Sequence, residues 1–185
     1  MSMRQPVERS MIDMFLQELG RRVRRPGKLY LTGGAALVHA GMRGEGAATA
    51  DIDLKLDAAN EDEVQDALRQ LKDLLNIDLE LAWPGDFLPA PPSWEAGSQY
   101  VGRYGALEVF YVDFVFLALA KVARGSERDL GDLEALAHSG AVTQEALQAA
   151  AEAIRPSLGH GRYFNVDPQR FDAQLAMAIS RVWGD

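Results

Sequence analysis

Residues 28–34, KLYLTGG, and residues 49–54, TADIDL, decide how this chain folds. The first stretch reads as a short buried strand running into a glycine turn. The second opens the run DIDLKLD, where charged and apolar residues alternate with the period of two that marks a half-buried strand. That alternation places the side chains of Asp51 and Asp53 on one face, with their Cα atoms about 6.5–7 Å apart. Ile52 and Leu54 point the other way, into a core. Neither feature is favourable by itself, because glycine weakens regular structure and two carboxylates on one face disfavour each other's charge. A divalent cation carrying a phosphate offsets both.

Outward from the turn, AALVHA (35–40) is a helix start. Uncovered backbone N–H groups and the absence of a side chain at Gly33 and Gly34 let a phosphate approach there. The stretch is neither a P-loop, which ends in Gly-Lys-Ser/Thr, nor a G-x-G-x-x-G fingerprint. GMRGEGAATA (41–50) reads as a flexible loop. Upstream, Val7, Met11, Met14, Phe15, Leu19 and Val23 recur at helical spacing over 7–24, and the run stops at Pro26-Gly27.

Downstream, NEDEVQDALRQLKDLL (60–75) is an amphipathic helix with an acidic first turn, and NIDLELAW (76–83) is another strand. Pro84, Pro89, Pro91 and Pro92 then predict an extended loop. SQYVGRYGALEVFYV (98–112) reads as a hairpin turning at Gly102–Gly105. Helices are expected at 113–124, 127–139, 143–154 and 168–183, separated by glycines and by Pro156 and Pro168. The fold class is therefore α+β: an α/β part over 1–112 and a C-terminal helical part over 113–185 that packs on it.

A third carboxylate is expected if phosphoryl chemistry occurs, to hold a second metal or accept the attacking proton. Asp78 and Glu80 share one face of a strand that would lie beside the Asp51–Asp53 strand. Asp78 is preferred, because it stands near the strand start between Ile77 and Leu79.

With 185 residues the chain suffices for one good core or two small ones. It has no cysteine, and its three histidines show no ligand spacing, so a metal would be held by oxygen; that favours Mg²⁺ or Mn²⁺. A net charge of −8 argues against non-specific binding along duplex DNA. RRVRR (21–25) is the densest basic cluster and suits a helix end. The start of the chain lacks an unbroken apolar signal region. The longest apolar stretch, VFLALAKVA (115–123), is too short for a membrane span and carries a lysine. A cytoplasmic protein without a membrane partner is the expectation.

The glycine turn, the Asp-x-Asp strand and the later lone acid resemble the nucleotidyltransferase superfamily typified by DNA polymerase β. The resemblance implies a mixed sheet flanked by helices and a nucleoside triphosphate substrate. It implies that Thr32, Gly33 and Gly34 cradle the triphosphate, that Asp51 and Asp53 bind Mg²⁺ or Mn²⁺, and that Asp78 is the third acid. The interval from Gly34 to Asp51 is longer than usual through RGEGAA (43–48).

DFVFLALAKVARGSERDLGDLEAL (113–136) is also similar to the lysine and acidic segment of abortive-infection-type toxin nucleotidyltransferases and their uncharacterised bacterial relatives, and DFLP (86–89) to a loop after the third-acid strand. This similarity covers roughly residues 29–175. It implies that Lys121 meets nucleotide phosphates, that Asp129 and Asp132 order that lysine or line the site, and that an antitoxin protein is a partner.

Two readings of function follow from the resemblance. One is transfer of a nucleotide from its triphosphate to an acceptor hydroxyl on a small molecule, a protein or an RNA end. The other is a silent fold that binds nucleotide or protein without turnover. An aspartyl-phosphate phosphatase would want an apolar strand ending at Asp51, whereas here the strand follows it. Arg43 and Thr49 in the loop, and Trp83, Trp94 and Tyr104 as base-stacking rings, are weaker candidates. For these rings, packing is the simpler explanation.

Overall fold

The alternating residues from Asp51 form a strand one place in from the edge of the chain's only extended sheet among the described residues. The computed structural model describes residues 4–58 and 61–184, with Ala58 by its backbone alone. Asn60, the first residue of the amphipathic helix expected over 60–75, lies outside them. The chain divides into two units, one of residues up to Trp83 with Gln99–Val112, the other of Pro84–Ser98 with residues from Asp113 onward.

The first unit contains, in order, β1 (Val7–Glu8), α1 (Arg9–Arg22), β2 (Gly27–Leu31), α2 (Gly33–His39), β3 (Ala48–Thr49), β4 (Asp51–Ala58), α3 (Glu61–Leu74), β5 (Asp78–Leu81), β6 (Gln99–Tyr104) and β7 (Leu107–Tyr111). Five strands form one mixed sheet in the order β5-β4-β2-β7-β6. The β2–β4 and β6–β7 pairs are antiparallel, and the β2–β7 and β4–β5 pairs are parallel. β1 and β3 make a separate small pair, with Val7 opposite Thr49. That pairing is why α1 starts at Arg9 rather than at the expected residue 7.

The register sorts the sheet into two chemically different faces. Leu29, Leu31, Ile52, Leu54, Leu107 and Val109 fall on one face and are each at most 1% exposed. Burying a leucine or valine to that degree contributes about 1.5–3 kcal/mol. α1 packs against α2, α3 and β6, and α3 against β4 and β5, through Ile12, Phe15, Leu16, Leu19, Val64 and Leu71, all buried. The other face carries Asp51, Asp53 and Lys55, followed by an aromatic row. Lys55 Nζ lies 5.4 Å from the Tyr30 ring centre and 5.0 Å from that of Trp83, and Tyr30 stacks on Phe110 at 5.4 Å.

The hairpin turns at Gly105–Ala106, not over Gly102–Gly105. Gly102 lies within β6, beside a register irregularity. Gly105 adopts φ +59°, and a Cβ on it would stand 2.1 Å from the carbonyl oxygen of Gly20 in α1. The turn therefore sits where the helix backbone comes closest, a condition only a glycine meets.

The second unit contains α4 (Trp94–Gly97), α5 (Phe114–Arg124), α6 (Glu127–His138), α7 (Gln144–Ile154) and α8 (Pro168–Trp183). The starts of α5 to α8 are capped in turn by Asp113, Ser126, Thr143 and Asp167, whose side chains accept the N–H of Val115, Asp129, Ala146 and Gln169. α5 is apolar almost all round, with Phe114, Phe116, Leu117, Leu119 and Val122 buried, and it packs against α6, α7 and α8. The proline-rich stretch is not extended throughout. It makes a 3₁₀ turn at Pro84–Asp86, buries Leu88 and includes α4. Among the described residues no helix is long and apolar enough to cross a membrane.

Candidate active site

β4 presents Asp51 and Asp53 on the polar face, both partly exposed, while Ile52 and Leu54 are buried behind them. β2 runs beside β4 and leads directly into the glycine turn, where the Thr32 N–H donates to the Asp53 carbonyl oxygen at 3.1 Å. The turn and the acid pair are therefore in contact. Gly33 has φ +59°, and a Cβ there would lie 2.2 Å from the Asp53 Oδ2. Any other residue would collide with the carboxylate.

β5 lies parallel to β4 on its outer side, pairing Asp51 with Asp78 and Asp53 with Glu80. Asp51, Asp53 and Glu80 each offer an oxygen, and those three atoms lie within 4.8 Å of one another. Asp78 is engaged elsewhere, its carboxylate 3.2 Å from Arg4 Nε and 3.0 Å from Lys72 Nζ. Of the two acids on β5, Glu80 is the one grouped with the aspartate pair. The signal that could have found it is register: a parallel β5 that pairs residue 51 with 78 carries 80 to the side of 53.

Beyond the turn, Thr49 and Arg43 close around Gly34. A Cβ on Gly34 would stand 2.4 Å from the Thr49 hydroxyl and 3.0 Å from Arg43 Nη1. Arg43 Nη1 also donates to the carbonyl oxygen of Ala48 at 3.4 Å.

In the second unit, Lys121 is 2% exposed, and its Nζ lies 3.3 Å from Asp129 Oδ1 and 2.5 Å from Asp132 Oδ2. Asp129 also accepts from Arg124 at 2.5 Å and from the Ser126 hydroxyl at 2.6 Å. Burial pushes the Asp129 carboxyl up, but the Ser126 and Arg124 hydrogen bonds and the charges of Arg124 and Lys121 outweigh it and hold the group below the ordinary range. Asp113, buried with only backbone N–H donors to offset desolvation, is pushed above that range. Among the weaker candidates, Tyr104 packs its backbone against Gly20, and Arg21 and Arg22 of the basic cluster pair with Glu18.

A family model described as a nucleotidyltransferase of unknown function (DUF6036) matches residues 10–167, most of the chain. The chain belongs to this nucleotidyltransferase family. No curated protein matches it. The family match runs through the glycine turn, the three acids and the lysine cluster alike, so it reaches into both units and stops just before α8.

Proposed function

We propose that this member of the family is a divalent-metal-dependent enzyme that moves a nucleoside monophosphate from its triphosphate to an acceptor hydroxyl. The observation that supports this most is the meeting of three carboxylate oxygens within 4.8 Å with a glycine turn that leaves no space for a side chain against Asp53. The donor set is all oxygen and anionic, which fits Mg²⁺ or Mn²⁺. Asp51, Asp53 and Glu80 are the residues that would hold the metal, with Glu80 rather than Asp78 as third acid. When bound, the metal supplies Lewis-acid activation and charge neutralisation at the transferring phosphate.

The chain's own residues do the rest. Gly33 and Gly34 let the turn lie directly against Asp53 and Thr49, and Thr32 holds the turn to β4 through its N–H. Glu80, the most exposed of the three acids, is the carboxylate assigned to take the acceptor's proton. Lys121, buried and bound by two aspartates, orders the α5–α6 corner in this reading and makes no phosphate contact. The resemblance to abortive-infection-type toxins adds a toxin-like role and an antitoxin partner to the proposal.

The test is transfer of label from each α-labelled nucleoside triphosphate to components of a cell extract in Mg²⁺, with an Asp51→Asn/Asp53→Asn control. Label that appears with the intact protein and vanishes with the control is the expected result. No transfer with any nucleotide, alongside retained nucleotide binding, would identify a silent binding module instead.

A further inference from the structure

We propose that the helical unit holds a binding site for a small organic anion, one carboxylate or phosphate head on an apolar body about the size of a phenyl ring. The inference goes beyond the transfer reading and does not depend on it. A cavity of about 330 Å³ opens between the proline-rich segment, the end of α5 and the start of α8, all within the second unit. That volume lies at the lower end of the range for small-molecule sites. Two bonds hold its walls together. Arg162 lies 3.2 Å from the Asp86 carboxylate, and the Tyr163 hydroxyl donates to the Gly85 carbonyl oxygen at 3.0 Å. The 3₁₀ turn at Pro84–Asp86 is thereby fixed to the loop that brings Asn165 and Val166 into the lining.

The lining combines apolar surface with positive charge. Leu88 and Phe171 are 0% and 2% exposed, and the ring of Phe87, 40% exposed, joins them. Two guanidiniums complete the lining. Arg124 is set in place by the buried Asp129, which accepts from its Nη2 at 2.5 Å and is its one partner among the described residues. Arg170 has no ion pair among those residues. It also stands in the first turn of α8, where the helix dipole disfavours a cation. The side chains of Asn165 and Gln174, likewise without hydrogen bonds among the described residues, add two amides. The one carboxylate among the described lining residues, Asp167, caps α8 through the Gln169 N–H.

An anionic head with a ring behind it satisfies both parts of this lining together. The guanidinium fork takes the oxygens of the head, and Phe87, Leu88 and Phe171 take the ring. A neutral apolar molecule leaves the arginines unmatched, and a bare inorganic anion leaves the apolar wall uncovered.

The probes are phenylacetate and phenyl phosphate, with 2-phenylethanol as their uncharged counterpart, each titrated into the full chain and followed by saturation-transfer NMR. The better anion should bind with a Kd of about 1 mM or below, the scale expected for about ten non-hydrogen atoms, and the alcohol about tenfold more weakly. Tighter phenylacetate identifies a carboxylate ligand, and tighter phenyl phosphate a phosphate ester. Arg170→Gln should weaken both anions about tenfold and leave the alcohol unchanged. Its melting temperature should hold or rise, since a cation leaves the first turn of α8. Ala123→Phe, which fills the cavity, should abolish binding of all three.

No binding of either anion by the parent at about 10 mM would overturn the inference. So would equal affinity for the alcohol and the anions, or a parent-like titration by Arg170→Gln. Displacement of the bound probe by magnesium ATP would assign the cavity to the nucleotide and overturn the inference equally.

Discussion

Asp53 joins three parts of the first unit: its carbonyl holds Thr32, its carboxylate lies against Gly33, and its neighbour across the parallel ladder is Glu80. Replacing Gly33 by alanine forces a left-handed φ on a residue with a Cβ and drives that Cβ into the carboxylate. Transfer should fall at least tenfold, with about 1–3 kcal/mol of stability lost in denaturant titration. Asp51→Asn and Asp53→Asn should each lower transfer roughly 100-fold or more, since even residues that only support metal ligands are worth 10–100-fold. The metal-free melting temperature of Asp51→Asn should hold or rise as a like charge is removed. Glu80→Gln should weaken the Mg²⁺ dependence of transfer strongly. Asp78→Asn should leave that dependence alone and lose only about 0–1 kcal/mol from two partly exposed ion pairs. The acid pair and the glycines were legible because alternation and turn chemistry are local. The choice between Asp78 and Glu80 was not, because it depends on strand register and on Arg4, whose place beside Asp78 no local pattern encodes.

At the scale of elements, the α5–α6 corner is a test of charge burial. Lys121→Met leaves Asp129 and Asp132 buried with one cation fewer, which should cost about 3–5 kcal/mol in chemical denaturation; Lys121→Met/Asp132→Leu should recover a large part of it. Asp129 adds a pH signature. Its folded pKa is depressed, so its contribution is complete above the unfolded value of about 4 and is lost as pH falls through the folded value below that. The stability difference between the parent and Asp129→Asn should stay constant from pH 7 to 5 and shrink below about pH 4. Helices α5 to α8 were readable nearly to the residue, because apolar spacing, Ser126, Thr143, Asp167 and Pro168 mark their ends in plain sequence, whereas α4 was not. The hairpin turn was misplaced because Gly102 and Gly105 look alike locally. What distinguishes them is Gly20, a residue of a distant helix whose backbone only Gly105 must meet.

At the scale of the whole molecule, a charge of −8 leaves little to release counterions from a duplex. Fluorescence anisotropy with a labelled 20-base-pair DNA, an arbitrary length of about two helical turns, should show no binding up to about 100 μM protein at 150 mM salt; the non-specific range is about 1–100 μM. The α+β class followed from the order of patterns along the chain, since alternating segments precede the helical ones. The path between the units was not legible: nothing in PGDFLPAPPSW says that it belongs with the helices while the hairpin after it returns to the sheet. That return has a consequence for synthesis. β7 is the inner neighbour of β2, and without it the sheet ends at the strand that leads into the glycine turn. A ribosome that has finished both aspartates must still add more than fifty residues before Tyr111 emerges to complete that ladder. Once Glu80 has been added, and until β7 follows, the nascent protein holds every acid of the proposed centre but lacks two of the five strands that would bring them to bear on a nucleotide.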